Sequence, residues 1–182
     1  RFAAMIASNQ PSAMGIHYLY HSLEDMLNCQ RRAGYESMEL WCAAPHVLLT
    51  HQGVAELPRL KSAIHASGMT LRCLTTENCT YPWQFAAKGE ALIAQSRQYF
   101  LHGIQLASEL ECPLVAVNSG WGLADESREE AMKRSLDMLL YLSQQASHWS
   151  WKVSVRRKPI WFVRWPKPKP SLIPWTSPTS VR

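Results

Sequence analysis

The chain has 182 residues, 47% of them hydrophobic and 18% charged, with a formal net charge of +5. That length suits one ordinary domain with a real core, and no apolar run comes near the roughly 18 residues needed to span a bilayer, so no membrane partner is expected. The opening Arg1-Phe2-Ala3-Ala4-Met5-Ile6 turns polar too soon for a signal peptide, and the five cysteines (Cys29, Cys42, Cys73, Cys79, Cys112) show no CxxC spacing. Zinc knuckles and disulfide frameworks are thereby excluded, and reduced, mostly buried thiols in a cytoplasmic protein are expected.

Taken in order, Phe2 to Ser8 reads as a first strand, with Ser8-Asn9-Gln10 as its loop. Ser22 caps a helix in which Leu23, Met26, Leu27 and Ala33 keep a helical period, and Gly34 stops it. Ser37 to Trp41 is a second strand, delivering Trp41 and then Pro45-His46 at its C-terminal end. Glu39, within it, alternates away from the core face and is expected at the surface or against a helix. Leu57, Leu60 and Ile64 mark a second helix closed by Gly68. Met69 to Leu74 is a third strand ending in Thr75-Thr76-Glu77-Asn78, with Tyr81-Pro82-Trp83 in the loop beyond. Leu92, Ser96, Tyr99, Phe100, Ile104, Ala107 and Leu110 share one face of a third helix. Leu114 to Val117 is a fourth strand ending in Asn118-Ser119-Gly120-Trp121-Gly122. Asp125 then opens a fourth helix, with Met132, Leu136, Leu139 and Leu142 facing inward.

Strand and helix thus alternate four times, the pattern of βα units on a parallel sheet. No GxGxxG follows the first strand and no P-loop motif occurs, so dinucleotide and nucleotide-phosphate readings are weak. Polar groups at the end of successive strands fit a (β/α)8 barrel, of which four units make half. The expected fold class is therefore α/β, a partial TIM barrel followed by an irregular basic tail.

Glu39-Leu40-Trp41 with Pro45-His46, Thr75-Thr76-Glu77-Asn78 with Tyr81-Pro82, and Asn118-Ser119-Gly120-Trp121-Gly122 occur in this order from about Phe2 to Gln145. In that combination the chain resembles the xylose-isomerase-like TIM-barrel family of sugar isomerases and epimerases, with a closest look to the fructoselysine 3-epimerase type. The resemblance implies an enzyme in which a divalent metal (Mn, Mg, Co or Zn) holds two oxygens of a ketose. Paired carboxylates then move a proton next to the carbonyl. It also implies that the metal ligands, chiefly two Glu, an Asp and a His, come from strands five to eight, while the first half of the barrel shapes the sugar pocket. His46 matches the family's loop after strand two and would hydrogen-bond a substrate hydroxyl. Trp41 is then a pocket wall or a core aromatic. Glu77 and Asn118 face the mouth or anchor loops, and Trp121 closes over a sugar ring. Those five are the expected substrate-binding residues for a sugar or sugar phosphate; no catalytic or metal-binding residue is assigned. His17, His21, His51, His65 and His102 lack paired ligand spacing and read as ordinary.

Composition changes abruptly after Gln145. Every Asp and Glu precedes residue 148, whereas Lys152, Arg156, Arg157, Lys158, Arg164, Lys167, Lys169 and Arg182 follow it, along with five of the eight Trp and six of the eleven Pro. Residues 1–147 are accordingly expected to be the barrel half and 148–182 a separate tail. A strand ending in Glu belongs here in the family pattern. Reading the tail from the third base of each codon gives a reason for its absence. Trp151 into Lys152 then fixes a Glu, because TGG followed by AA yields GAA. Trp165 into Pro166 fixes an Ala, and Trp175 into Thr176 fixes an Asp. An apolar helical run is permitted between these fixed residues. The tail therefore reads as an out-of-frame translation and the polypeptide as truncated, with binding residues but no catalytic ones. Two other classes compete. One is a nucleic-acid-binding barrel like the abasic-site endonucleases, given the basic, Trp-bearing tail; the third strand, however, ends without the early metal-binding His such nucleases use. The other is a non-catalytic half-barrel that self-associates through its sheet edges.

Overall fold

The computed structural model describes residues 10–147 and the two short stretches 152–154 and 160–164. The strand expected at Phe2 to Ser8 lies outside them. Strand β1 (Ala13–Met14) leads through a 3-10 turn at Gly15–Tyr18 into helix α1 (Leu23–Arg32). Ser22 caps α1 as expected, its hydroxyl accepting the Asp25 amide at 3.2 Å. Glu24 and Asp25 occupy the first turn and Arg31 and Arg32 the last, each sign at the end of the helix dipole that favours it. Leu23, Met26 and Leu27 put the apolar face inward, and Gly34, at φ +88°, supplies the left-handed turn that ends the helix.

Strand β2 (Ser37–Cys42) follows, then a small antiparallel pair, β3 (Leu49–Thr50) and β4 (Gly53–Val54). Helix α2 (Leu57–Ser67) is closed by Gly68, and β5 (Thr70–Thr76) runs parallel to β2. Helix α3 (Glu90–Glu109), β6 (Leu114–Asn118) and helix α4 (Arg128–Ser147) complete the fourth unit. The strands β1, β2, β5 and β6 lie in that order and are all parallel.

Each strand of this sheet has two chemically distinct faces. Met38, Leu40 and Cys42 of β2, Leu71 and Leu74 of β5, and Val115 and Val117 of β6 join Tyr99, Phe100 and Ile104 of α3 and Met138, Leu139 and Leu142 of α4 in one buried core. A fully buried side chain of this kind contributes about 1.5–3 kcal/mol, so this helix-facing layer holds the fold together. On the opposite face Glu39 lies beside Cys73, and Trp41 beside Thr75, which in turn lies beside Ala116. The alternation is kept in step by an irregularity between Met38 and Glu39, where β5 carries one extra residue, Arg72. Without that bulge Leu71 and Cys73 would share a face; with it, Leu71 joins the core and Cys73 the other side.

Four expectations are corrected. Glu39 is half-buried rather than a plain surface residue: it sits on the sheet face opposite the core helices and accepts a hydrogen bond from the Thr75 hydroxyl. The fourth helix is opened by Ser127 rather than Asp125. The Ser127 hydroxyl accepts the Glu130 amide at 3.1 Å while the Glu130 carboxylate takes the Ser127 amide at 3.2 Å, a reciprocal capping box. Met132 and Leu136 do not face inward: they are 42% and 45% exposed, and with Leu140 they line the outer side of α4. The buried line runs instead through Ala131, Ser135, Met138, Leu139 and Leu142, and on that side Ser135 donates to the Ser119 carbonyl at 2.7 Å. Finally, the tail is not irregular throughout. Strand β7 (Lys152–Ser154) pairs antiparallel with β8 (Ile160–Arg164), and β8 pairs antiparallel with β6.

Candidate functional site

The C-terminal ends of β2, β5 and β6 stand side by side, so their loops share one rim. At its centre the Trp41 indole N–H donates to Glu77 Oε2 at 2.8 Å. Both residues are buried. The other carboxylate oxygen of Glu77 accepts the backbone amides of Cys79 at 2.5 Å and Thr80 at 2.8 Å. The Glu77 carbonyl accepts the Tyr99 hydroxyl at 2.7 Å. A carboxylate whose two oxygens are already taken by three donors organises the loop, tying β2 to the start of the β5–α3 connection. Net hydrogen bonds to a charged group contribute about 1.5–3 kcal/mol each.

His46 lies in the loop after β2 and is buried rather than at the surface. Its Nε2 meets the His21 carbonyl at 3.1 Å. A carbonyl can only accept, so Nε2 carries the proton, and Nδ1 keeps a bare lone pair that has no hydrogen-bond partner. Burial lowers the pKa of His46, offset in part by the carbonyls of Tyr18 and His21, so the neutral form is favoured. A small cavity of about 50 Å³ opens beside it between Leu23, Val47 and Leu60, away from Trp41 and Glu77.

Asn118, at the end of β6, turns its side-chain oxygen onto the Gly120 amide at 2.9 Å and its amide toward Cys79 Sγ at 3.7 Å. It thereby bridges the β5 and β6 loops. Trp121 follows with its side chain 42% exposed at the rim. Its amide donates to the buried Gln84 Oε1 at 2.8 Å. Five residues further, the Glu126 side chain is buried and receives Arg134, the Leu123 amide at 2.8 Å and Lys88 at 3.3 Å. The Leu123 amide first, and Arg134 next, hold its carboxyl down to about 2. Below the loop an aromatic cluster packs: Trp83 stacks on Tyr99 with centroids 4.9 Å apart, and Tyr81 meets both edge-on.

Of the five residues expected to bind substrate, the structure joins Trp41 and Glu77 directly and links Asn118 to the same loop through Cys79. Trp121 shares a loop with Asn118, whereas His46 stands apart against the α1 end of the rim. Gln84, Glu126 and Arg134 had no signal in the sequence. Each is a polar residue in an unremarkable setting, and the contacts of Gln84 with Trp121 and of Arg134 with Glu126 span 37 and 8 positions. The Ser-x-x-Glu spacing of Ser127 and Glu130 could have placed the helix start.

Among the described residues no three His, Cys, Asp or Glu side chains come together to hold a metal ion. Glu77, the carboxylate best placed at the rim, already has both oxygens engaged. The described residues therefore do not fit the divalent metal that the resemblance implies. Burial pushes the Cys42 and Cys73 thiols up and Cys112 up to about 12, so these three are not activated as nucleophiles. What the rim offers is hydrogen-bonding capacity and exposed aromatic surface.

Residues 30–148 match the family described as xylose isomerase-like TIM barrel. The chain belongs to that family. Its fold is similar to that of 3-keto-D-glucoside 4-epimerase, YcjR, from E. coli (TM-score 0.59, 14% identity, covering 75% of this chain and 51% of the other). It is likewise similar to D-psicose 3-epimerase in the presence of D-fructose (TM-score 0.56, 11% identity, 75% and 48%). The chain thus spans about half the length of these solved structures. No curated protein matched it. Among the described residues no helix is long and apolar enough to cross a membrane.

Proposed function

We propose that this chain is the sugar-pocket half of an isomerase- or epimerase-type barrel. In this reading the β2, β5 and β6 rim binds a ketose or ketose phosphate, and the polypeptide as it stands carries out no metal-dependent proton transfer. The observation that carries the reading is the Trp41–Glu77 bond of 2.8 Å at the adjoining ends of parallel strands. It fixes an indole and an anchored loop where barrels of this kind place substrate. Trp41 then walls the pocket, and Trp121 offers its face to the sugar. The Asn118 amide donates to a ring or carbonyl oxygen, while His46, whose Nδ1 is buried, backs the rim from the α1 side. Aromatic surface beside a few fixed polar groups is how small-molecule sites combine affinity with orientation.

The family resemblance assigns metal chemistry to barrel strands five to eight, after the four parallel strands of this chain. The same reading treats 148–182 as an out-of-frame segment on a barrel half at 1–147, in a cytoplasmic protein. Two experiments test the proposal together. The nucleotide sequence across the tail should show an open barrel-coding frame displaced from the one translated. Purified chain incubated with D-fructose and Mn²⁺ should yield no epimer or aldose by NMR; steady turnover would refute the assignment of binding without catalysis.

A second reading concerns assembly. Met132, Leu136 and Leu140 leave one apolar stripe of α4 in solvent, which favours self-association of the half-barrel.

A further inference from the structure

The exposed indole of Trp121 stands on the most heavily pinned backbone of the rim. Ser135 holds the Ser119 carbonyl at 2.7 Å, Asn118 holds the Gly120 amide at 2.9 Å, and Glu126 holds the Leu123 amide at 2.8 Å. Between them Gln84 Oε1 accepts the amide of Trp121 itself at 2.8 Å. Gln84 is buried in the neighbouring loop, where its own backbone amide donates to the buried Ser96 Oγ of α3 at 3.1 Å.

Gly120 shows how closely the two loops dock. It adopts φ +72°, and a Cβ there would collide with Gln84 Oε1 and come within 2.9 Å of the Ala86 amide nitrogen and 3.0 Å of that of Phe85. The contact therefore requires glycine on both conformational and steric grounds. Arg134 closes the far side by donating to the Ala86 carbonyl at 3.0 Å and pairing with Glu126. The β6–α4 loop is thus clamped onto the β5–α3 loop at both ends, yet the one large aromatic ring it carries is left 42% exposed.

From this geometry we infer that Gln84 is a positioning residue: by holding the Trp121 amide it fixes the backbone from which that indole projects, so that the ring is presented as a stacking platform for the apolar face of a sugar ring. This rests on the carbohydrate reading above and adds the residue that orients its aromatic contact. A ring on a backbone already held in place loses only side-chain freedom when ligand arrives, so it binds more tightly than the same ring on a loose loop. Gln84 acts only through Trp121 and does not touch the sugar.

The test uses the full chain with fluorine-labelled tryptophan, the Trp121 resonance being assigned by Trp121→Phe, and a titration with D-fructose followed by NMR. In the wild type the Trp121 signal should shift on binding. Gln84→Leu keeps size but removes the acceptor; it should split or broaden that signal in the unliganded protein and weaken binding by about tenfold, near the upper end for an aromatic contact. Gln84→Glu keeps the acceptor and should restore both. If Gln84→Leu does not fold, Gly120→Ala, which pushes Gln84 aside from the other loop, should give the same loss. Unchanged affinity and a single sharp Trp121 signal in Gln84→Leu or in Gly120→Ala would overturn the inference. So would a sugar that shifts Trp41 but leaves Trp121 unmoved, and in that case the carbohydrate pocket itself would stand. A titration in which no tryptophan responds would remove the pocket and the platform together.

Discussion

Glu77 concentrates the chemistry of the rim in one carboxylate. It receives an indole N–H and two backbone amides while buried. Removing it strands three donors away from water, each costing about 1–3 kcal/mol unless water enters. Glu77→Ala should therefore lower stability by about 3–5 kcal/mol, read as a shift in the urea midpoint, since breaking such a buried charged hub belongs to the severe class. Trp41→Phe keeps the packing and strands only one acceptor, so it should cost about 1–2 kcal/mol. If the two variants were equally mild, the loop-anchoring role of Glu77 would be wrong.

Two titrating groups give the molecule a pH dependence with the same sign. Glu126 is depressed from 4.5 to about 2 by the Leu123 amide and Arg134. A depressed carboxyl contributes stability that is complete above its unfolded value and is lost as pH falls from about 4.5 toward 2. His46 is depressed from 6.5 by burial. Its unfolded form takes up a proton before the folded form does, so stability also falls as pH drops below 6.5. Urea midpoints should thus decline in two stages on acidification. Glu126→Gln should flatten the lower stage alone, and His46→Gln the upper.

At the scale of elements, much of the fold was legible because local signals agreed with tertiary ones. Ser22, Gly34 and Gly68 marked helix ends correctly, and the apolar runs at Met38 and Leu114 marked the central strands. The errors share a physical origin. Glu39 obeys strict alternation, but the face away from the helices is only half open to solvent, and there Thr75 meets the carboxylate. Met132 and Leu136 are apolar at helical spacing, yet α4 buries Met138, Leu139 and Leu142 in the core and bonds Ser135 to Ser119, a rotation that leaves them outside. Periodicity reveals that a helix has an apolar stripe, not which of two stripes wins. The candidate site was half legible: Trp41, Glu77, Asn118 and Trp121 stand at strand ends and could be named from position. Gln84 and Arg134 act through loop-to-loop contacts that no spacing encodes. The α4 cap offers a clean check. Ser127→Ala should cost about 1 kcal/mol and increase amide exchange in the first turn of α4, leaving α3 protected.

At the scale of the molecule, the four parallel strands described pack their helices against one face, and β8 extends the sheet antiparallel to β6. An apolar stripe of Met132, Leu136 and Leu140 in solvent is a standing cost that association relieves. Light scattering should show mass rising with concentration, and Leu136→Glu should return the chain toward a monomer. A concentration-independent monomer in the wild type would leave the stripe without that role.

The account rests on the rim of β2, β5 and β6 recognising a carbohydrate, and saturation-transfer NMR addresses this directly. With D-fructose at millimolar concentration over purified chain, irradiation of protein methyl groups should attenuate the sugar ring protons, and Trp41→Ala should abolish the effect. Sugar signals untouched by the wild-type chain, or attenuated equally with Trp41 replaced, would contradict it.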